Sequence, residues 1–192
     1  MSPSTNIPPA EDLTRAIAEG WKKVSGRQPG FEGQWLLVHI PSQRLLLLQG
    51  TELTAAWPVS TSTVGIDNRQ DSGGTPCGLH RIDQKIGAGS DLHTIFSSRQ
   101  STGILWQKGG DKSDRGPEGD LILTRILTLD GLEEGVNRGP GVDSLARHIY
   151  IHGTNHEDGI GTPVSGGCVR MTNPDVVALF DQVAEGDPVV IL

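Results

Sequence analysis

A cysteine, a histidine and an arginine near the C-terminal end of the chain have the types and spacing of a nucleophilic site. Cys168 follows the pair Gly166 and Gly167 and precedes Arg170, and His152 lies earlier in a His-Gly step. The thiolate is the nucleophilic form of cysteine, and a neighbouring imidazole or cation lowers a thiol pKa from about 8.5 to about 3.5–7.5. The sequence therefore predicts a cysteine nucleophile, a histidine base and a depressed thiol pKa.

The two glycines before the cysteine predict an oxyanion hole. Without Cβ atoms, the backbone can turn so that the N–H groups of Gly166, Gly167 and Cys168 point at one spot. Losing one such donor typically costs about 2.7–4 kcal/mol of transition-state stabilisation. Arg170 is expected on the same side of a strand as Cys168, where it can hold a substrate carboxylate or stabilise the thiolate.

The histidine belongs to the segment "RHIYIHG", residues 147–153, which has the composition of a strand. Side chains alternate between the faces of a strand, so His148, Tyr150 and His152 are predicted to share one face. Ile149 and Ile151 then face the core. His152 ends this strand at Gly153, where a side chain is accessible enough to act as a base.

A zinc site is the alternative interpretation of the same region. The available ligands would be His148, His152, His156, Cys168 and Cys77. Gly153 between His152 and His156 makes a helical i,i+4 pair doubtful, and neither C-x-x-C nor H-E-x-x-H spacing occurs. We therefore expect no metal and no cofactor.

The secondary structure around these residues is predicted to consist mostly of strands. An amphipathic helix is predicted over residues 11–24, because apolar residues recur there at three- and four-residue steps. Short apolar runs predict an antiparallel meander and four further strands, whereas residues 97–119 are polar and glycine-rich and predict surface loops. The predicted strands are "WLLVHI", "RLLLLQG", "TELTAAWPVS", "LHRIDQKIG", "LILTRILTL", "RHIYIHG" and "PVVIL".

A second helix is predicted in "TNPDVVALFDQVAEG", residues 172–186. Asn173 is the expected N-cap, Pro174 suits the first turn, Asp175 complements the helix dipole and Gly186 ends the helix. The balance of elements predicts a mainly β fold.

Composition excludes several classes of function. A formal net charge of −7 over 192 residues disfavours a nucleic-acid or anionic-membrane partner. No segment approaches the roughly 18 apolar residues of a membrane span. The N-terminus has neither the basic start nor the apolar run of a secretory signal, so we expect a cytoplasmic protein with free thiols.

The segment "IHGTNHEDGIGTPVSGGCVRM", residues 151–171, resembles the active-site signature of the YkuD-like L,D-transpeptidase family. That signature is a His-Gly pair followed, a dozen or so residues later, by S-H-G-C-[VI]-R. "LLVHIPSQRLLLLQGTELTAAWPVSTS" is similar to the opening β-meander of the family, and "GGTPCGLHRI" to its T-P-x-G element. The likeness extends from about Trp35 to Leu192. One departure is Gly166, where the family usually has histidine.

The resemblance implies a YkuD-like β-sandwich catalytic domain over residues 31–192, preceded by a tail and short helix over residues 1–30. It also implies that Cys168 is the nucleophile, that His152 is the base and that the Gly153 carbonyl orients the imidazole. The implied oxyanion hole is formed by Gly166, Gly167 and Cys168. Implied substrate-binding residues are Arg170, Ser165 and Tyr150.

The implied substrate is a peptidoglycan stem peptide, attacked between the L-centre of a diamino acid (meso-diaminopimelate or lysine) and the following D-alanine. Water as acceptor gives an L,D-carboxypeptidase of muropeptide recycling, which we favour because the expected location is cytoplasmic. An amine acceptor gives 3-3 cross-links. Other hypotheses are a pseudo-enzyme that binds peptidoglycan fragments and a general cysteine protease. Residues 97–119 are long enough to form a lid.

Overall fold

The helix at the N-terminal end packs against the first strands. A computed structural model of the protein describes residues 10–107 and 119–192. Helix α1 spans Ala10–Arg27, slightly longer than predicted. Its apolar stripe packs onto a cluster that contains Trp35 and Leu37, with contributions from Leu13, Ile17, Trp21 and Val24. The helical spacing of apolar residues therefore corresponds to a face that is buried against the sheet.

The predicted meander is confirmed. Strands β1 (Gln34–His39), β2 (Arg44–Gln49) and β3 (Glu52–Pro58) pair antiparallel in sequence order. Both faces of β1 and β2 are covered, by α1 on one side and by the main core on the other. This double coverage explains why these two strands read as continuous apolar runs instead of alternating ones.

The remaining strands extend this sheet and divide it at β7, which pairs with three neighbours. They are β4 (Gly78–Ile86), β5 (Thr94–Ser97), β6 (Gln100–Leu105), β7 (Ile122–Gly131), β8 (Tyr150–Thr154), β9 (Val169–Met171) and β10 (Pro188–Ile191). The order is β3-β2-β1-β10-β4-β7-β5-β6, and β8 and β9 continue from β7 on a separate branch. The main core joins apolar residues of β1 and β2 to those of β8 and β9. The prediction of a mainly β fold is confirmed.

The prediction of surface loops over residues 97–119 is wrong for part of the described segment. Gln100–Leu105 form β6, which pairs antiparallel with β5 at the end of the sheet order. All six residues of β6 are exposed, so its side chains carry no alternating apolar signal. Residues 108–118 lie outside the described residues, and the lid stays a prediction.

Helix α2 spans Asn173–Gln182, and the prediction of its N-cap is corrected by one residue. The Thr172 side chain accepts a hydrogen bond from the Asp175 N–H at 3.2 Å, so Thr172 is the cap. Asn173 is the first helical residue and is completely buried. The prediction that Gly186 ends the helix is wrong, because α2 ends at Gln182 with Val183 as its C-cap. Gly186, at φ +92°, lies in the turn that leads to β10.

A bulge in β7 fixes the strand that carries the histidine. The pairing of β7 with β8 shifts register between Leu123 and Ile126, which face Gly153 and His152 respectively. Thr124 lies in the bulge at φ +70°, an unusual conformation for a β-branched residue. Its hydroxyl donates to Asn173 Oδ1 at 2.6 Å, so the bulge is tied to the start of α2.

Candidate active site

Parallel pairing of β8 and β9 brings the predicted site residues together. Ile151 lies opposite Val169 and His152 opposite Arg170. Cys168 directly precedes β9, and its side chain packs in the same cluster as Tyr150, whereas Ile151 and Val169 belong to the main core. Tyr150, His152, Cys168 and Arg170 therefore lie on one face of this branch of the sheet.

His148 does not share this face as a strand residue. Strand β8 begins at Tyr150, and His148 lies in the preceding turn at φ +57°. The prediction that the strand starts at Arg147 is wrong, because this turn bends the chain before the strand pairing begins. Instead, the Cys168 thiol donates a hydrogen bond to the His148 backbone carbonyl, with the sulfur 3.5 Å from the oxygen.

The His152 imidazole is held in one orientation. It is buried, and its Nδ1 lies 2.7 Å from the Gly153 carbonyl oxygen, which can only accept a hydrogen bond. Nδ1 therefore carries the proton and Nε2 is left as the basic nitrogen. Burial lowers the pKa of His152, although the Gly153 bond and the Asp120 charge oppose this effect. The ring is neutral at physiological pH.

The pKa of the Cys168 thiol is raised, so the predicted depression of this pKa is wrong. Burial raises the pKa of Cys168 to about 11, against the opposing effects of the Tyr150 N–H, Arg170 and Arg147. The sulfur accepts from the Tyr150 N–H at 3.4 Å. Among the described residues, no hydrogen bond joins the thiol to His152. Thiol and imidazole thus form a neutral pair, and the proton must move when a substrate is attacked.

The loop before the cysteine is braced by Ser165. The buried Ser165 hydroxyl donates to the Cys168 carbonyl at 2.6 Å and accepts from the Gly167 N–H at 3.2 Å. The Thr75 hydroxyl donates to the Gly167 carbonyl at 2.9 Å. Ser165 thus shapes the loop. Its contact with a substrate stays a prediction. The Gly167 N–H is engaged inside the loop, and Gly166 and Cys168 stay predicted oxyanion donors.

A side chain is tolerated differently at the two glycine positions of this loop. Gly167 has φ +130°, and a Cβ there would lie 3.3 Å from the Gly74 carbonyl oxygen. Gly166 is exposed, and a Cβ at this position would meet nothing within 4 Å. A side chain at Gly166, such as the histidine usual in the resembled family, would therefore extend into open space.

Gly153 is required by close packing beneath the histidine. A Cβ at Gly153 would lie 2.5 Å from Asn173 Oδ1 and 2.8 Å from the Leu123 carbonyl oxygen. The Asn173 amide donates to the Thr154 carbonyl at 2.9 Å and to Glu157 Oε1 at 2.7 Å. Asn173 and Glu157 thus hold the end of β8. The sequence indicated Asn173 only as a helix cap, and nothing in it indicated Glu157.

Arg147 braces the wall beside the cysteine loop. Its guanidinium donates to the Gly74 carbonyl at 2.7 Å and to the Asp67 carbonyl at 3.1 Å. The Gly74 carbonyl oxygen would lie 3.3 Å from a Cβ added at Gly167, and the Arg147 charge opposes the rise in the pKa of Cys168. Sequence reasoning missed Arg147, because its partners lie more than 70 residues earlier in the chain.

Arg170, two residues after Cys168, lines a surface cavity. Its side chain is only 7% exposed and forms an ion pair with Asp120, which no sequence motif had indicated. Its buried Nε has no hydrogen-bond partner among the residues that the structure describes. The cavity has a volume of about 360 Å³ and is lined by Asp120, Asn155, His156, Asp158, Gly159, Val164 and Arg170.

Tyr150 is buried with Phe96 and Ile126, and burial raises the pKa of its phenol. A substrate contact by Tyr150 stays a prediction.

Within residues 10–107 and 119–192, no three His, Cys, Asp or Glu side chains are grouped to hold a metal. Cys77 and Cys168 are both free thiols. No helix among the described residues is long and apolar enough to cross a membrane.

Comparison with known proteins identifies the family of this chain. The family model of the YkuD L,D-transpeptidase catalytic domain matches residues 33–191. The chain belongs to this family. "Probable L,D-transpeptidase ErfK/SrfK" of Salmonella typhimurium is 48% identical over 99% of this YkuD chain and 61% of its own length. "Putative L,D-transpeptidase YqjB" of Bacillus subtilis is 51% identical over 53% of the chain and 65% of its own length. The chain thus spans less than two thirds of these relatives.

Solved structures show the same YkuD-type fold. The L,D-transpeptidase from Mycobacterium smegmatis matches with a TM-score of 0.52 at 17% identity, over 83% of this chain and 58% of that one. L,D-transpeptidase 3 from Mycobacterium tuberculosis matches with a TM-score of 0.51 at 16% identity, over 83% and 60%. The predicted family and fold are confirmed.

Proposed function

We propose that this protein is a cysteine acyl-transfer enzyme that acts on peptidoglycan stem tetrapeptides. The bond attacked would join the L-centre of the diamino acid to the following D-alanine. The observation that supports this proposal most strongly is the placement of Cys168, His152 and Arg170 on one face of the β8–β9 pair, where Arg170 also lines a cavity. Family membership supports the class of substrate.

The neutral thiol–imidazole pair suggests how the first step proceeds. As the Cys168 sulfur attacks the carbonyl carbon, its proton passes to His152 Nε2, which the Gly153 contact leaves free to accept it. The negative charge on the carbonyl oxygen is held by backbone N–H groups of the Gly166–Cys168 turn. The intermediate then collapses, His152 returns the proton to the D-alanine nitrogen, and a thioester to Cys168 remains.

The acceptor then determines the product. Water would release a tripeptide and regenerate the thiol, whereas an amine of a second stem peptide would give a 3-3 cross-link. We propose water, with a soluble muropeptide as substrate and a cytoplasmic place of action. A net charge of −7 is compatible with this substrate, because Arg170 supplies a local cation for a small anionic ligand. Cross-linking is the alternative.

Product analysis tests the proposal. The reduced protein and a Cys168→Ala variant are incubated with a disaccharide-tetrapeptide, and the products are separated and weighed by mass spectrometry. Loss of one D-alanine with no larger product supports hydrolysis, and a cross-linked dimer supports transfer to an amine. Both reactions should be absent in Cys168→Ala.

Two other outcomes would replace the proposal. Unchanged substrate with both proteins, together with measurable binding, would indicate a peptidoglycan-fragment-binding pseudo-enzyme. Cleavage of an all-L peptide by the wild-type protein would indicate a general cysteine protease.

A further inference from the structure

A buried network of hydrogen bonds joins strand β7, strand β8 and the start of helix α2. The Thr124 hydroxyl accepts a hydrogen bond from the His93 N–H at 2.9 Å and donates one to Asn173 Oδ1 at 2.6 Å. The Asn173 amide donates to the Thr154 carbonyl at 2.9 Å and to Glu157 Oε1 at 2.7 Å. Thr124, Thr154 and Asn173 are completely buried. A buried polar network whose members are paired in this way is rigid.

The partners of Asn173 leave its side-chain amide one orientation. The Thr154 carbonyl and the Glu157 carboxylate can only accept hydrogen bonds, so the NH2 group of Asn173 must face them. Asn173 Oδ1 therefore faces the Thr124 hydroxyl, which donates to it. Glu157 Oε1 also accepts from the Asn173 backbone N–H at 2.7 Å, which fixes the first residue of α2. The network thus determines where Asn173 Oδ1 lies.

Asn173 holds the Gly153 peptide at two points. A Cβ built at Gly153 would lie 2.5 Å from Asn173 Oδ1 and 2.8 Å from the Leu123 carbonyl oxygen, so both oxygens lie close to the Gly153 Cα. The next carbonyl, that of Thr154, is bound by Asn173 Nδ2. Between these two points lies the Gly153 carbonyl, which accepts from His152 Nδ1 at 2.7 Å. The orientation of the His152 ring therefore depends on the position of Asn173.

The bulge in β7 lies opposite the same step of β8. His152 and Gly153 are adjacent, yet they pair with Ile126 and Leu123, which are three positions apart. Thr124 lies between these two partners, at φ +70°. Bulges next to active sites commonly re-aim a side chain, and a costly backbone conformation persists only where its surroundings impose it. The conformation of Thr124 therefore indicates a functional constraint at this position.

We propose that Thr124 and Asn173 are positioning residues for the base His152. Thr124 fixes the Asn173 side chain, and Asn173 fixes the Gly153 peptide. The Gly153 carbonyl then keeps the proton of the neutral ring on His152 Nδ1, so that Nε2 can accept the proton of the thiol. The proposal rests on the proposed function, in which His152 is the base. Neither Thr124 nor Asn173 takes part in making or breaking a bond.

The tautomer of the His152 ring tests the proposal without requiring turnover. In protein labelled with ¹⁵N-histidine at pH 8, the NMR signals of wild-type His152 should show a protonated Nδ1 and an unprotonated Nε2. His152→Gln identifies these signals among those of the six histidines. Thr124→Val keeps the β-branched shape and removes the hydroxyl, so the ring should become a mixture of both tautomers. Thr124→Ser restores the hydroxyl and should restore the wild-type signals.

The rate of tetrapeptide cleavage should change together with the tautomer. In Thr124→Val, kcat should fall about 10- to 100-fold because the base is misplaced, while KM stays within about twofold. Thr124→Ser should recover most of this loss. Thr128→Val is the matched control, because Thr128 is also a fully buried threonine of β7. Its hydroxyl accepts from the Gln84 N–H at 2.9 Å and donates to Asp83 Oδ2 at 3.3 Å. Thr128→Val should lower the urea midpoint and leave kcat and the His152 tautomer unchanged.

Thr124→Gly replaces Thr124→Val if the valine variant does not fold. Glycine adopts a positive φ without strain and also lacks the hydroxyl, so the same changes are expected. An unchanged tautomer and kcat in either folded variant would overturn the proposal and leave a purely structural hydrogen bond. Equal losses in Thr124→Ser and Thr124→Val would also overturn it, because the hydroxyl would then not be responsible.

Failure of the proposal is distinguishable from failure of the proposed function. If the wild-type protein cleaves the tetrapeptide and the Thr124 variants retain both the rate and the tautomer, the enzyme is retained and the positioning role is lost. If the wild-type protein cleaves nothing, but Thr124→Val changes the tautomer and Thr124→Ser restores it, the control of the His152 ring is retained and the assigned reaction is lost.

Discussion

Alkylation of Cys168 in the free protein should be slow, and its rate should keep rising with pH well beyond neutrality. Burial raises the pKa of this thiol to about 11. Relative to an unperturbed thiol with a pKa of about 8.5, the thiolate fraction at pH 7.5 falls about 300-fold. The more basic thiolate is a better nucleophile, and a Brønsted coefficient of about 0.4–0.5 recovers about 10- to 20-fold. The net expectation is alkylation about 15- to 30-fold slower than for an unperturbed cysteine.

The assay is the rate of iodoacetamide labelling between pH 6.5 and 10. A Cys77→Ser background leaves Cys168 as the one reactive thiol, and the same protein unfolded in urea supplies the unperturbed reference. Labelling should increase up to pH 10 without a plateau. Removal of the imidazole by His152→Ala should leave this profile unchanged, because the thiol and the ring share no hydrogen bond among the described residues.

A plateau at or below pH 7, with labelling faster than in the unfolded reference, would show that the pKa of Cys168 is lowered instead of raised. It would mean that thiolate and imidazolium are the resting forms and that the neutral pair inferred from burial is incorrect.

Three further substitutions test the packing around the site. Gly167→Ala should destabilise the fold by about 1–3 kcal/mol because of its positive φ, whereas Gly166→Ala, the adjacent control, should leave the urea midpoint unchanged. Gly153→Ala should lower the thermal midpoint and the activity together, because its Cβ would strike the Asn173 side chain; a neutral effect would contradict the close packing. Burial lowers the pKa of His80 to about 4, so the stability that neutral His80 contributes above pH 6.5 should be lost as pH falls towards 4, by about 3 kcal/mol. His80→Gln should flatten the pH dependence of the urea midpoint in that window, and an unchanged slope would count against it.

The sequence could predict the elements whose signal is local. The apolar runs of β1, β2 and β7 identified those strands, because each is buried along most of its length. The spacing of apolar residues identified α1. Strand β6 was missed, since its side chains are all exposed and its pairing with β5 leaves no trace in the composition. A local sequence pattern indicates which residues are buried, but it does not indicate which strands pair with each other.

The candidate site was predictable in its chemistry and less so in its electrostatics. The His-Gly step and the Gly-Gly-Cys-x-Arg run indicated Cys168, His152 and Arg170, and strand pairing brings all three to one face. The prediction of a lowered pKa for Cys168 was wrong, because the effect of burial outweighs that of the neighbouring positive charges. Asp120 contacts Arg170 across 50 residues of chain. Such long-range partners follow from the fold and are not visible in a short motif.

The most direct test of the account is intact-mass spectrometry of the protein mixed rapidly with a disaccharide-tetrapeptide and quenched in acid. We expect a transient adduct with the mass of the substrate less one D-alanine. Proteolytic mapping should place this adduct on Cys168, and it should be absent from Cys168→Ala and strongly reduced in His152→Ala. Turnover of the tetrapeptide without any adduct, or with the adduct on another residue, would contradict the central claim that Cys168 carries the acyl group.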